Sequence, residues 1–421
     1  MGTIIKKVFK LLCIFIPAGI LYAYAMFQGG FVSWFLFFST LPIFIYMILL
    51  FFYPMSRIKL DRKIYPVISE TGSTIKIELT FKRPRLLPLY YCIIEDVLPE
   101  SIHFRDTKRK KYSYLANPDR LKEKRNAKKI IFPWFKRTFS FEYQIEEVPR
   151  GQHLFNQIRV ISGDFIGFIK KEKIYEVQNS LMVYPMERNL KFHKYAQSFE
   201  EGESSSYNRM VKNTMVVSGV REYIPGDRVS WIDWKSTAKR NTMMTKEFDQ
   251  EKSQDMYILF DGTKHDDYNW LAFEGSVEIG VSLIDAIREE SAQLFFASLG
   301  RNRQVIPVHK DSMSKEQVKR YLATVQPEDS LPFGQMIKQE VGKLPKGYLS
   351  MVVTTELSLE LYDTLIQLKQ KNSRVVLFLV KASSLISAEE RQRLKYLSSS
   401  GVVINLLTEG ILMKEKIEVN A

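Results

Sequence analysis

The chain has 421 residues, room for two or three domains of ordinary size. Its formal charge of +14 is basic, and its two cysteines give no disulfide framework. Five scattered histidines give no zinc site, and no Gly-rich loop ending in Gly-Lys-Ser/Thr and no His-Glu-x-x-His occurs, which sets aside an ATPase and a zinc protease.

The mean hydropathy of -0.16 hides a strong asymmetry. Residues 8–27 are apolar apart from Lys10, and residues 31–53 carry no charge. Each run reaches the roughly 20 residues a helix needs to cross a bilayer, so two transmembrane helices are expected within residues 1–56. Gln28, Gly29 and Gly30 form the tip between them, and Tyr24, Trp34 and Tyr53 lie where interfacial aromatics belong. Lys6, Lys7 and Lys10 precede the first run, and Arg57, Lys59, Arg62 and Lys63 follow the second. The positive-inside bias then predicts a multi-pass cell-membrane protein with both ends and the whole soluble part in the cytoplasm. A basic surface facing an anionic leaflet accounts for the net charge.

Residues 57–186 read as an antiparallel β-sandwich. Apolar and polar residues alternate through 74–81 and 138–145, with further strands expected at 90–96, 155–161 and 180–184. The basic stretch 105–129 is expected to be a solvated loop, or else a contact for anionic lipid; with no aromatic stacking platform interleaved, nucleic acid comes last. Residues 187–254 hold a polar, acidic linker around 199–206 and a dense motif.

From residue 255 to 421 the pattern becomes α/β. Short apolar runs at 256–260, 293–298, 348–354, 375–380 and 402–407 alternate with helical stretches, one face of which is drawn by Phe273, Val277, Val281, Ile284 and Ile287. This implies a mostly parallel sheet covered on both faces, with 304–308 returning as an antiparallel edge where Pro307 is tolerated.

The motif comprises Arg221, Tyr223, Pro225, Gly226 and Asp227, then Ile232, Asp233, Trp234 and Lys235. Pro225 and Gly226 suit a type II turn, which Asp227 can brace. Asp233, between Trp231 and Trp234, is expected to be buried and ion-paired with Arg221, Lys235 or Lys239, in a corner that clips the two soluble units together. A partner-docking patch is the companion reading, because Trp and Arg anchor interfaces.

These residues, with Thr237, Ala238, Lys246, Glu247 and Phe248, resemble the hallmark of the bacterial family called domain of unknown function fifty-eight. Arg150-Gly151, the run from Gly163 to Phe168, and Val183-Tyr184-Pro185 resemble its other landmarks, while Ser230, Lys239 and Ile166-Gly167 depart from them. The resemblance implies a partner of MoxR-type AAA+ ATPases, often accompanied by a transglutaminase-like membrane protein. It also implies a C-terminal von Willebrand factor A-like, Rossmann-like domain. That fold ligates Mg²⁺ through Asp-x-Ser-x-Ser, matched here by Asp261 and Thr263, with Glu356 near the later acidic position. Lys264 adds positive charge and His265 replaces a hydroxyl, so a metal-free domain without cofactor is expected. The whole reads as a membrane-anchored adaptor or assembly factor and not an enzyme. The alternatives are a cell-envelope enzyme with its site around Asp227 and Asp233, and an anionic lipid-binding protein.

Overall fold

The structure is a computed structural model that describes all residues except 1, 85–86, 194–214, 226, 251–254, 289–290, 292, 342–347, 372–373 and 421. It begins with two antiparallel helices, α1 (Gly2–Gln28) and α2 (Phe31–Phe52), joined at Gly29, whose φ of +60° suits glycine. Tyr22 of α1 packs edge-on against Trp34 and Phe37 of α2, with ring centroids 6.4 and 5.6 Å apart. Among the described residues α2 is the one helix long and apolar enough to cross a membrane; α1 contributes a shorter apolar stretch, Ile14–Gln28.

A β-rich body follows: β1 (Lys59–Tyr65), β2 (Ile68–Glu70), β3 (Ile75–Lys82), β4 (Tyr91–Val97), β5 (Ala127–Ile131), β6 (Thr138–Ile145), β7 (Gly151–Gly163) and β8 (Lys170–Tyr184). One sheet has the order β1-β3-β6 and the other β2-β8-β7-β4-β5. Ile75, Ile77, Leu79 and Phe81 point into the core they share, while Lys76 and Lys82 face out, as the period of two requires. The second sheet is mixed and not antiparallel throughout. After β1 the chain crosses to the other sheet within two residues and keeps its direction, so β2 lies parallel to β8. Arg62 locks the two sheets together. Its guanidinium binds Asp96 of β4 at 2.5 and 3.0 Å and the Phe155 and Val177 carbonyls at 2.9 and 2.8 Å. Arg62 is therefore an interior residue and not one of the charges flanking a membrane span.

The lower half of α2 does not stand clear of this body. Met47, Leu50 and Tyr53 are buried in the same core as Leu89, Cys92 and Ile169, and Lys171 donates to the Tyr53 carbonyl at 2.8 Å.

The basic stretch 105–129 is ordered, not a solvated loop. It forms 3-10 turns at Lys108–Tyr114 and Pro118–Leu121 and then β5. Tyr112, Leu115 and Leu121 recur at multiples of three, the 3-10 period, and all enter the core of the α/β unit. Arg105 pairs with Glu147 at 2.6 Å and, within the stretch, with Glu123 at 3.2 Å, while most of the other cations remain exposed.

Beyond β9 (Asn189–His193) lies a hairpin, β10 (Met215–Glu222), α3 (Trp234–Arg240) and β11 (Met244–Gln250). The α/β unit then runs β12 (Met256–Asp261), α4 (Trp270–Ile287), β13 (Leu294–Leu299), β14 (Gln304–Val308), α5 (Ser312–Thr324), α6 (Phe333–Val341), β15 (Leu349–Thr354), α7 (Leu359–Lys371), β16 (Arg374–Val380), α8 (Ala388–Ser399), β17 (Val403–Leu407), α9 (Glu409–Leu412) and β18 (Lys416–Asn420). Its sheet has the order β14-β13-β12-β15-β16-β17, parallel except for the β14 edge. Helices α4 and α5 cover one face, and α6, α7 and α8 the other. β18 pairs in parallel with β9, so a segment expected to be linker is instead a strand.

Candidate functional site

The motif residues fold as a self-braced finger. Asp227 N–H closes a turn on the Ile224 carbonyl at 3.0 Å, and the Asp227 carboxylate accepts the Ile224 N–H at 3.1 Å. Arg221 grips that carboxylate with two parallel hydrogen bonds of 2.8 Å. These bonds, those from Arg221 first, hold the Asp227 carboxyl below its ordinary range. Gly226 lies outside the described residues.

Asp233 is not the buried ion-paired residue that its tryptophan neighbours suggested. It is half-buried and caps α3, accepting the Lys235 and Ser236 N–H groups at 3.1 Å each. A helix N-terminus offers unpaired N–H groups, so the carboxylate finds backbone donors before it needs a cation. Thr237 donates to the Asp233 carbonyl at 2.8 Å and accepts Met244 N–H at 3.0 Å, which ties α3 to β11. Asn241 ends the helix in the left-handed region with φ +56°. Tyr223 N–H binds the Met243 carbonyl at 2.8 Å across the hairpin.

The finger leaves several apolar side chains outside among its charged ones. Trp234 is 66% exposed, Ile224 59% and Val229 69%, while Lys235 is exposed beside Trp234. Arg228 stacks over Trp231 at 5.4 Å. Ile232 and Met244 are buried, yet among the described side chains no finger residue belongs to any of the three cores.

A second constellation lies at the carboxyl ends of β12 and β15, where strand order reverses and α/β sheets open a crevice. Asp261 Oδ1 accepts the Thr263 N–H at 3.0 Å and hydroxyl at 2.7 Å; Oδ2 accepts the Thr354 hydroxyl at 2.6 Å and faces His265 Nε2 at 2.8 Å. His265 Nδ1 lies 3.2 Å from Glu356. Burial disfavours the charged imidazole, but the hydrogen bond and charge of Asp261 and the charge of Glu356 outweigh it and raise its pKa above 6.5. In the protonated ring both nitrogens donate, one toward each carboxylate. Asp261 and Thr263 do come together, but they do not fit a metal. Protein donors take both Asp261 oxygens, and the imidazole stands between the two carboxylates. The two hydroxyls beside the histidine, those of Thr263 and Thr354, both donate to Asp261. An open cleft of about 730 Å³ adjoins the cluster, between Asn117, Asp119 and Arg120 of the β-rich body and His265, Glu356 and Lys381.

A third feature escaped the sequence reading: the joint between the units. Lys111 is buried between Asp106 at 2.5 Å and Glu278 at 2.7 Å, Arg188 binds Glu278 at 3.1 Å, and Arg150 binds Glu274 with two bonds of 2.7 and 2.8 Å. The available signal was Glu274 and Glu278 one turn apart on a largely apolar helix, since buried charges demand partners.

The chain belongs to the family described as "Protein of unknown function DUF58", whose model matches residues 219–381, from the finger to the end of β16. It is 32% identical over 346 residues to the uncharacterized protein YeaD of Bacillus subtilis strain 168, covering 82% of each chain. Similarity to solved structures is slight. Manganese-loaded TRAP protein of Plasmodium vivax gives a TM-score of 0.27 at 14% identity, over 39% of this chain and 73% of that one. The PilB minor pilin of Streptococcus sanguinis gives 0.28 at 7% identity, over 78% of this chain and 86% of that one. Neither carries an argument about function.

Proposed function

We propose that this chain is a membrane-tethered adaptor or assembly factor whose finger docks a partner protein, a MoxR-type AAA+ ATPase. One observation carries the reading: the finger braces itself with the Arg221–Asp227 pair and offers Trp234 to solvent on a helix capped by Asp233. Aromatic anchors on a rigid support are what hot spots are made of. The alternative of an enzyme around Asp227 and Asp233 has less support, since both carboxylates serve as braces. In this proposal α1 and α2 both cross the membrane, the soluble part is cytoplasmic, and the α/β unit is a von Willebrand factor A-like domain that works without metal or cofactor. A transglutaminase-like membrane protein is a further partner, and nucleic acid is none.

The test is binding of the detergent-solubilised chain to a purified MoxR-type ATPase. Trp234→Ala should weaken binding about tenfold or more, as loss of an anchor does, with the melting temperature unchanged. No binding by the parent chain would refute the choice of partner. Undiminished binding by Trp234→Ala would refute the finger as the docking element.

A further inference from the structure

Resting on the membrane-tethered reading, we infer that the tip of the β-rich body beside α2 is a lipid-binding wedge, whose exposed rings sit in the headgroup layer of the same bilayer that α2 crosses. Tyr90 is the hub of the tip. Its ring meets Phe132, Trp134 and Phe165 at centroid distances of 6.0, 6.1 and 6.2 Å, and with Ile166 and Phe168 all six are 42–55% exposed. A patch of this composition on one tip marks an interaction surface.

The exposure is built in. Arg83, 4% exposed, donates to the Leu87, Trp134 and Lys136 carbonyls at 3.0, 2.9 and 2.8 Å, which fixes two of the loops from inside. Trp134 is held at φ +43°, an uncommon conformation for a tryptophan, by a backbone bridge to Leu89. In the third loop the buried Asp164 carboxylate accepts the Ile169 and Phe168 N–H groups at 2.7 and 3.3 Å.

Position on α2 selects lipid over other occupants. Tyr46 packs against the core that Leu89 and Ile169, at the base of the tip loops, enter. It stands seven residues before Tyr53, about 10 Å along the axis at 1.5 Å per residue. Loops that reach Tyr46 therefore lie about 10 Å deeper than the helix end, the depth at which interfacial apolar faces settle. The Lys171 ammonium marks the shallower level at the Tyr53 carbonyl. Tyrosine and tryptophan above a lysine is the ordering of a membrane interface.

The test uses the full chain with Cys13→Ala, reconstituted into phosphatidylethanolamine–phosphatidylglycerol vesicles containing headgroup-proximal doxyl lipid. Burial pushes the Cys92 thiol up to about 12, so it stays unlabelled. Bimane is placed singly through Phe168→Cys, Ile166→Cys, Phe38→Cys on α2, or Tyr396→Cys on the far α/β unit. The wedge predicts that labels at 166 and 168 lose most of their emission, as does the label at 38, while the label at 396 keeps its own. Quenching at 38 but not at 166 or 168 overturns the wedge and leaves the tether standing, including when those labels respond instead to protein concentration, the mark of a second copy. No quenching at 38 overturns the tether and the wedge together.

Discussion

Lys111 Nζ lies 2.7 Å from Glu278 Oε1, with both side chains almost wholly buried where the β-rich body meets α4. Glu278 also holds Arg188, and Lys111 also holds Asp106, so one carboxylate neutralises two cations brought from segments far apart in the chain. The Tyr112 ring packs beside this network, near Gly275.

Removing that carboxylate strips Arg188 of its buried counter-charge and leaves Lys111 with Asp106 alone. Glu278→Ala should destabilise the chain by about 3–5 kcal/mol, the usual cost of breaking a buried pair from one side. Chemical denaturation of the solubilised protein measures it. Lys76→Ala, which breaks an exposed pair with Glu142, should leave the unfolding midpoint where it was.

His265 predicts a pH dependence of definite sign. Its folded pKa is raised above 6.5, so its stabilising contribution is complete below that value and fades as pH rises through the raised one. The difference in melting temperature between the parent and His265→Gln should be widest in mildly acidic solution and close in alkaline solution. A difference that grows with pH contradicts the charged imidazole.

Asp233 acts as a helix cap, so its replacement is a local matter. Asp233→Ala should cost about 0.5–2 kcal/mol, and Asp233→Asn much less, because asparagine caps nearly as well. Hydrogen exchange should report the loss at the amides of Lys235 and Ser236 while the six-stranded sheet stays protected.

Gly334 of α6 tests the packing of α6 on α7. A Cβ there would come within 2.6 Å of Leu361 N and 2.7 Å of the Glu360 carbonyl carbon, which are backbone atoms that cannot swing aside. Gly334→Ala should therefore lose stability by about 1–3 kcal/mol as an overpacked site, although alanine is the better helix former. A gain in melting temperature would mean that the two helices slide apart freely.

Periodic patterns were the legible part of the sequence. Alternation from Ile75 to Phe81 and the apolar face from Phe273 to Ile287 both gave their elements, and even the antiparallel edge at Pro307 falls where its composition put it. Charge was misread, because its environment is set by residues distant in the chain. Arg62 and Lys111 looked like solvated or lipid-facing cations, and both are interior. Asp233 was misplaced for the opposite reason: a local solution, the start of α3, satisfied a carboxylate for which a distant partner had been sought. The pairing of β9 with β18 left no local trace, since each is only five residues long and the two are far apart in the chain.

That pairing gives the finger a modular character. The chain leaves the fold after β9, whose place is secured by β18, and rejoins it at β12, the strand from which the six-stranded sheet grows in both directions. Of the described residues between them, β10, α3 and β11 pair among themselves and contribute to none of the three cores, so a change confined to the finger would not require those cores to repack.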